Sequence, residues 1–205
     1  MLKAFSYILL GPGLLFLVRC SHFMSGKRPP ATGQTSQVYS RLFAPDIRYL
    51  LYLPEDYYQN ANQRWPLVLF LHGAGERGTD LNLVTKHGPP KLAAAGERFP
   101  FIILSPQCPE DRRWKSGPLK RLLDRVKLNF RVDETRIYLT GLSMGGYGTW
   151  HLAARYPEYF AAIAPICGAG DPEHAETLRD VPVWAFHGAQ DEVFRLTASS
   201  RWLTP

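Results

Sequence analysis

The stretch "RIYLTGLSMGGYGTW", residues 136–150, decides the fold. It begins as an apolar run, and from residue 144 to 156 it has the pattern of a helix stopped by Pro157. Between the two lies Gly141-Leu142-Ser143-Met144-Gly145, a G-x-S-x-G pattern followed by Gly146. A tight strand-to-helix turn needs glycines on both sides, because the two backbones approach closely and the turn is strained. A serine alcohol is a poor nucleophile and must be exposed, aimed and activated. Such a turn exposes and aims Ser143. It also sets Ser143 at a helix N-terminus, where the backbone N–H of Met144 points at a developing oxyanion. The pattern alone is weak and could be a plain glycine turn. A buried strand before it and a helix after it are the stronger signal.

Similar apolar runs recur outward from this stretch. "WPLVLFLHG" (65–73), "FPFIILSPQ" (99–107), "FAAIAPICG" (160–168) and "VPVWAFHG" (181–188) each stop at or near a polar residue or glycine. Runs apolar on nearly every residue belong to strands buried on both faces, hence to a parallel sheet covered by helices. "SQVYSRLF" (36–43) and "IRYLLYLP" (47–54) predict an additional hairpin. Leu119, Leu122, Leu123, Val126 and Phe130 recur at helical spacing. Residues 171–180 read as a short polar helix or loop, and a last helix starts near Leu196. The expected architecture is an open α/β sheet, in which ligands bind beyond the carboxyl ends of the strands.

The strand ends carry the remaining candidates. "HGAGERG" (72–78) is a glycine-rich turn that can aim the Ala74 N–H at the same oxyanion, with His72 bracing the turn and Glu76 pairing with Arg77. "AQDEVF" (189–194) presents Asp191, an acid placed to orient an imidazole, with His187 bracing that loop.

The composition bounds the rest. The 205 residues are 45% hydrophobic and 13% aromatic, which suits one globular domain over residues 37–205. The net charge is +6, but residues 1–30 hold Lys3, Arg19, Lys27 and Arg28 and no acid. The remaining 20 basic and 18 acidic residues leave no basic stripe, so nucleic acid is not an expected partner. Cys20, Cys108 and Cys167 form no CxxC, and neither a metal nor a cofactor is expected. The first 24 residues read either as a signal or anchor segment, with residues 4–18 apolar, or as an extension upstream of a true start at Met24. The first predicts a secreted, periplasmic or membrane-anchored protein and the second a cytoplasmic one. The apolar run is too short for a comfortable span. Residues 25–36 read as a linker.

Taken in order, "LHGAGERG", "FIILSPQCP", "GLSMGGYGTW", "FAAIAPICGAGDP" and "PVWAFHGAQDEV" resemble the α/β-hydrolase superfamily. More narrowly they resemble its single-domain serine carboxylesterase/phospholipase branch, which is dienelactone-hydrolase-like, over residues 37–197. The resemblance implies a three-layer α/β sandwich and hydrolysis of small carboxylic esters through an acyl-serine. It assigns Ser143 as nucleophile, Asp191 as triad acid, and Ala74 and Met144 as oxyanion donors. Dienelactone hydrolases proper use cysteine where this chain has Ser143. The family's strand order separates Cys108 from Cys167 by three strand spacings, about 14 Å, too far for a disulfide. The family's histidine follows its acid, but all six histidines here precede Asp191. The expectation is therefore a C-terminally truncated member without its last strand and helix. Two alternatives accompany it: a non-catalytic pseudo-hydrolase, and a prolyl-oligopeptidase-like peptidase, which would need an upstream propeller. No long cap insertion is visible, which favours short acyl or aryl esters, with Trp114, Tyr147 and Trp150 as candidates to line an aryl site.

Overall fold

The structure is a computed structural model, described for residues 30–41 and 44–191. The N-terminal hydrophobic segment, most of the expected linker and the helix near Leu196 lie outside the described residues.

Six strands form one mixed sheet: β1 (Gly33–Arg41), β2 (Ala44–Leu53), β3 (Trp65–Leu71), β4 (Ile102–Pro106), β5 (Val132–Leu142) and β6 (Ala162–Ile166). Their order is β1-β2-β4-β3-β5-β6. The β1–β2 and β2–β4 pairs are antiparallel, and β4–β3, β3–β5 and β5–β6 are parallel. The expected hairpin is thus present, and β4-β3-β5-β6 is the order the resemblance implies. Cys108 follows β4, Cys167 follows β6, and both thiols are free.

The apolar runs become strands because they can be covered on both sides. All five residues of β4 are buried, as are Leu67, Leu69 and Leu71 of β3. Each such leucine contributes about 1.5–3 kcal/mol relative to an exposed one. Helix α1 (Gly88–Ala94) packs on β1, β2 and β4; α2 (Ser116–Asn129) packs on β5 and on α3 (Met144–Arg155); α3 packs on β3, β5 and β6. The predicted stripe on α2 is real, since Leu119, Leu122, Leu123 and Val126 are all buried. Helix α3 ends one residue before its expected end. Tyr156 has left the helix at φ −143°, as the residue before a proline tends to do.

Four expectations change. First, β1 starts at Gly33, inside the stretch read as a linker: Gln34 and Thr35 pair with Tyr52 and Leu51, and polar residues suit an edge strand. Second, α1 was not anticipated, because its Gly-Pro-Pro start carries no apolar period. Third, the sheet is not covered on both faces throughout. Burial alternates along β6, and the 181–186 run makes only two isolated parallel bridges to it, Ile163 with Val183 and Ile166 with Phe186. There Trp184 is 72% exposed and Phe186 41%. Fourth, Glu76 does not pair with Arg77. Arg77 Nε donates to the Ala74 carbonyl at 2.8 Å, while buried Glu76 turns inward, 3.8 Å from His87 Nε2.

Candidate active site

Ser143 stands between β5 and α3, at φ 55° and ψ −113°. A non-glycine residue rarely holds a positive φ, and it persists only where its surroundings over-determine it. Here the Ser143 N–H donates to Ile166 O at 2.8 Å, and Ser143 O accepts from the Tyr147 N–H at 3.0 Å. The glycines around it leave no room for a side chain. A methyl group on Gly145 would overlap the Leu71 carbonyl, and one on Gly141 would overlap the Gly145 carbonyl. The turn is therefore clamped on the C-terminal ends of β3 and β6.

The glycine-rich turn after β3 lies against this serine. A methyl group on Gly73 would sit 3.9 Å from Ser143 Cβ and 3.6 Å from Leu142 O. Ala74 opens the 3-10 turn Ala74–Glu76, and Met144 opens α3. An N–H in the first turn of a helix has no acceptor within that helix. Two donors of that kind thus belong to segments that meet at Ser143.

His72 holds the glycine-rich turn after β3. It is fully buried; its Nε2 accepts from the Cys108 N–H at 2.9 Å, so Nδ1 carries the proton, 2.6 Å from Gly73 O. Burial pushes its pKa down, which keeps the ring neutral. Trp114 Nε1 donates to His72 O at 3.0 Å, and its ring meets the imidazole edge-on at 4.8 Å. Gln107 ties the following loop, donating from Nε2 to Glu76 O at 3.0 Å and to Asp80 O at 2.7 Å. No local pattern marks Gln107 or the Trp114 hydrogen bond, since both join segments far apart in the chain.

Asp191 lies beyond the bridge region, where Cys167 N–H donates to Phe186 O at 2.8 Å. Its Oδ2 is 3.5 Å from His187 Nε2. His151, eight residues into α3 from the serine, stacks on Tyr147 with ring centroids 4.2 Å apart. Burial lowers its pKa too, and His174 adds to the effect. Among the described residues, no side chain hydrogen-bonds the Ser143 hydroxyl. Of the aryl-site candidates, Trp150 is core, 2% exposed with Nε1 donating to Gly168 O, whereas Trp114 is half-buried and Tyr147 38% exposed. Among the described residues, no cluster of three or more His, Cys, Asp or Glu could hold a metal ion, and no helix is long and apolar enough to cross a membrane.

A serine at a strained strand-to-helix turn, on a sheet of this order, is the arrangement of the α/β-hydrolase esterases. The family model described as "Putative esterase" matches residues 40–204, and the chain belongs to that family. It is 30% identical over 139 residues to the bifunctional acetylxylan esterase/xylanase XynS20E of Neocallimastix patriciarum, covering 62% of this chain and 19% of that protein. It is 46% identical over 120 residues to poly(3-hydroxyalkanoate) depolymerase C of Paucimonas lemoignei, covering 50% of this chain and 28% of that one. The chain thus spans under a third of the length of these two curated relatives. Among solved structures, a thermostable esterase superposes with a TM-score of 0.72 at 34% identity, over 83% of this chain and 50% of that one.

Proposed function

We propose that this chain is the catalytic portion of a serine hydrolase that cleaves carboxylic esters. The backbone of Ser143 carries the reading: φ 55° at the start of α3, held by neighbours that admit no side chain at Gly141 or Gly145. In that role Ser143 Oγ attacks the ester carbonyl carbon and gives its proton to the imidazole that the resemblance places after the acid; residues 192–205 hold no histidine. The carbonyl oxygen becomes an oxyanion, accepted by the N–H groups of Ala74 and Met144. Collapse breaks the bond to the alcohol, which leaves with the proton from the base. Water then attacks the acyl-serine by the same route and frees the carboxylic acid. Asp191 is the acid that orients the imidazole and stabilises it when charged. The substrates are short acyl or aryl esters, which fits a site with Trp114 and Tyr147 partly open to solvent.

The second reading is a pseudo-hydrolase that keeps the pocket without the chemistry. It draws support from the Ser143 hydroxyl, which no side chain among the described residues hydrogen-bonds. Hydrolysis of p-nitrophenyl acetate separates the two. The esterase reading expects turnover that is lost in Ser143→Ala. Turnover that is absent, or equal in the variant, supports the pseudo-hydrolase.

A further inference from the structure

At the C-terminal end of β4 lies a cavity of about 440 Å³ that is lined by neither Ser143 nor Ala74 nor Met144. That volume is within the range that holds a small organic ligand. Its walls are largely apolar: Ile47, Pro109, Pro118 and Leu119 contribute, with Trp114 on one side. Its rim is basic. Arg112, Arg113, Lys115 and Arg121 all line it, against one carboxylate, Asp46.

Among the described residues, none of these four cations has a carboxylate within 4 Å. Their neighbour Lys120 shows the contrast, since it pairs with Asp124 at 2.8 Å. The cavity also adjoins the start of α2, where the helix dipole is positive. Arg121 does not relieve that charge but adds to it: a methyl group on Gly117 would sit 3.4 Å from Arg121 Nη1, so the guanidinium lies over the first turn. Concentrated positive potential at the mouth of an apolar cavity selects a ligand with an anionic end and an apolar body.

The cavity touches the turn after β3 through Gln107, Cys108 and Trp114. Trp114 is its wall, bonds the His72 carbonyl, and packs on α3, where a methyl group on Gly148 would be 3.0 Å from Trp114 Cβ. We infer that this cavity is a subsite for the carboxylate-bearing end of an ester substrate, with Arg113 and Arg121 as its anion-binding residues. The inference rests on the esterase reading for its place in catalysis, but the anion site has its own readout.

That readout is calorimetric titration of the full chain with benzoate and, separately, with neutral benzamide. Benzoate is expected to bind at least about tenfold more tightly, and its affinity to fall as salt is raised to about 0.5 M. In Arg113→Gln/Arg121→Gln the preference should vanish, while the far-UV circular dichroism spectrum stays unchanged. Equal binding of the two ligands overturns the subsite, as does a preference that survives in the double variant. Selective benzoate binding without hydrolysis of the acetate overturns the esterase reading and leaves the anion site standing. Hydrolysis without selective binding overturns the subsite alone.

Discussion

Ser143 holds a backbone conformation that costs of order 1–3 kcal/mol for a residue with a side chain. Glycine tolerates it, but loses about 1 kcal/mol more chain entropy on folding. Strain relief is the larger effect, so Ser143→Gly is expected to raise stability by about 1 kcal/mol, read as a higher urea midpoint, while abolishing any ester hydrolysis. His72 makes a second prediction. An imidazole in the unfolded chain titrates at 6.5, and burial lowers the folded value below that. Between the two values the unfolded chain binds a proton that the folded chain does not. The contribution of a neutral His72 is therefore complete above about pH 6.5 and is lost as the pH falls toward the folded value. Urea midpoints should drop over that window, and drop less in His72→Gln. His151 is shifted the same way and supplies part of the remaining slope. The sequence showed Ser143 and the bracing role of His72 because local spacing encodes both. Gln107 was invisible, since its contacts join the ends of different strands, and so was the turn of Glu76 toward His87, eleven residues along a loop without a pattern.

At the level of elements, α3 and β3 meet through a glycine rather than through interlocking side chains. Gly145 faces the Leu71 and His72 carbonyl oxygens so closely that any Cβ must displace backbone. Gly145→Ala is expected to destabilise the fold by at least about 3 kcal/mol, measured by urea unfolding, whereas a side chain on Gly75 meets nothing. Gly75→Ala, in the turn after β3, is therefore the control, expected within about 1 kcal/mol of the parent. Helix α2 was readable because four buried residues recur on one face. Helix α1 was not, because it is seven residues long and begins with Gly-Pro-Pro. The start of β1 was misread for a related reason: edge-strand pairing uses backbone groups and leaves polar side chains free to resemble a linker.

Across the whole molecule, the order of the motifs along the chain was enough to anticipate the parallel strands, because the apolar runs at 65–73, 99–107, 136–142 and 160–168 become β3, β4, β5 and β6. The alternating burial along β6 could not be anticipated, since an apolar run does not say how many of its faces are covered. The same strand order keeps Cys108 and Cys167 apart as free thiols. Burial also pushes the Cys108 pKa up to about 11. The thermal midpoint should accordingly be the same with and without dithiothreitol; a fall on reduction would show a disulfide. The central claim is that this fold presents Ser143 as an activated nucleophile. Its most direct test is treatment of the chain with a fluorophosphonate, followed by mass mapping of the adduct. We expect a single phosphonylated site at Ser143, absent in Ser143→Ala. An unlabelled Ser143 peptide, at a reagent excess that labels a control serine esterase fully, would contradict the account.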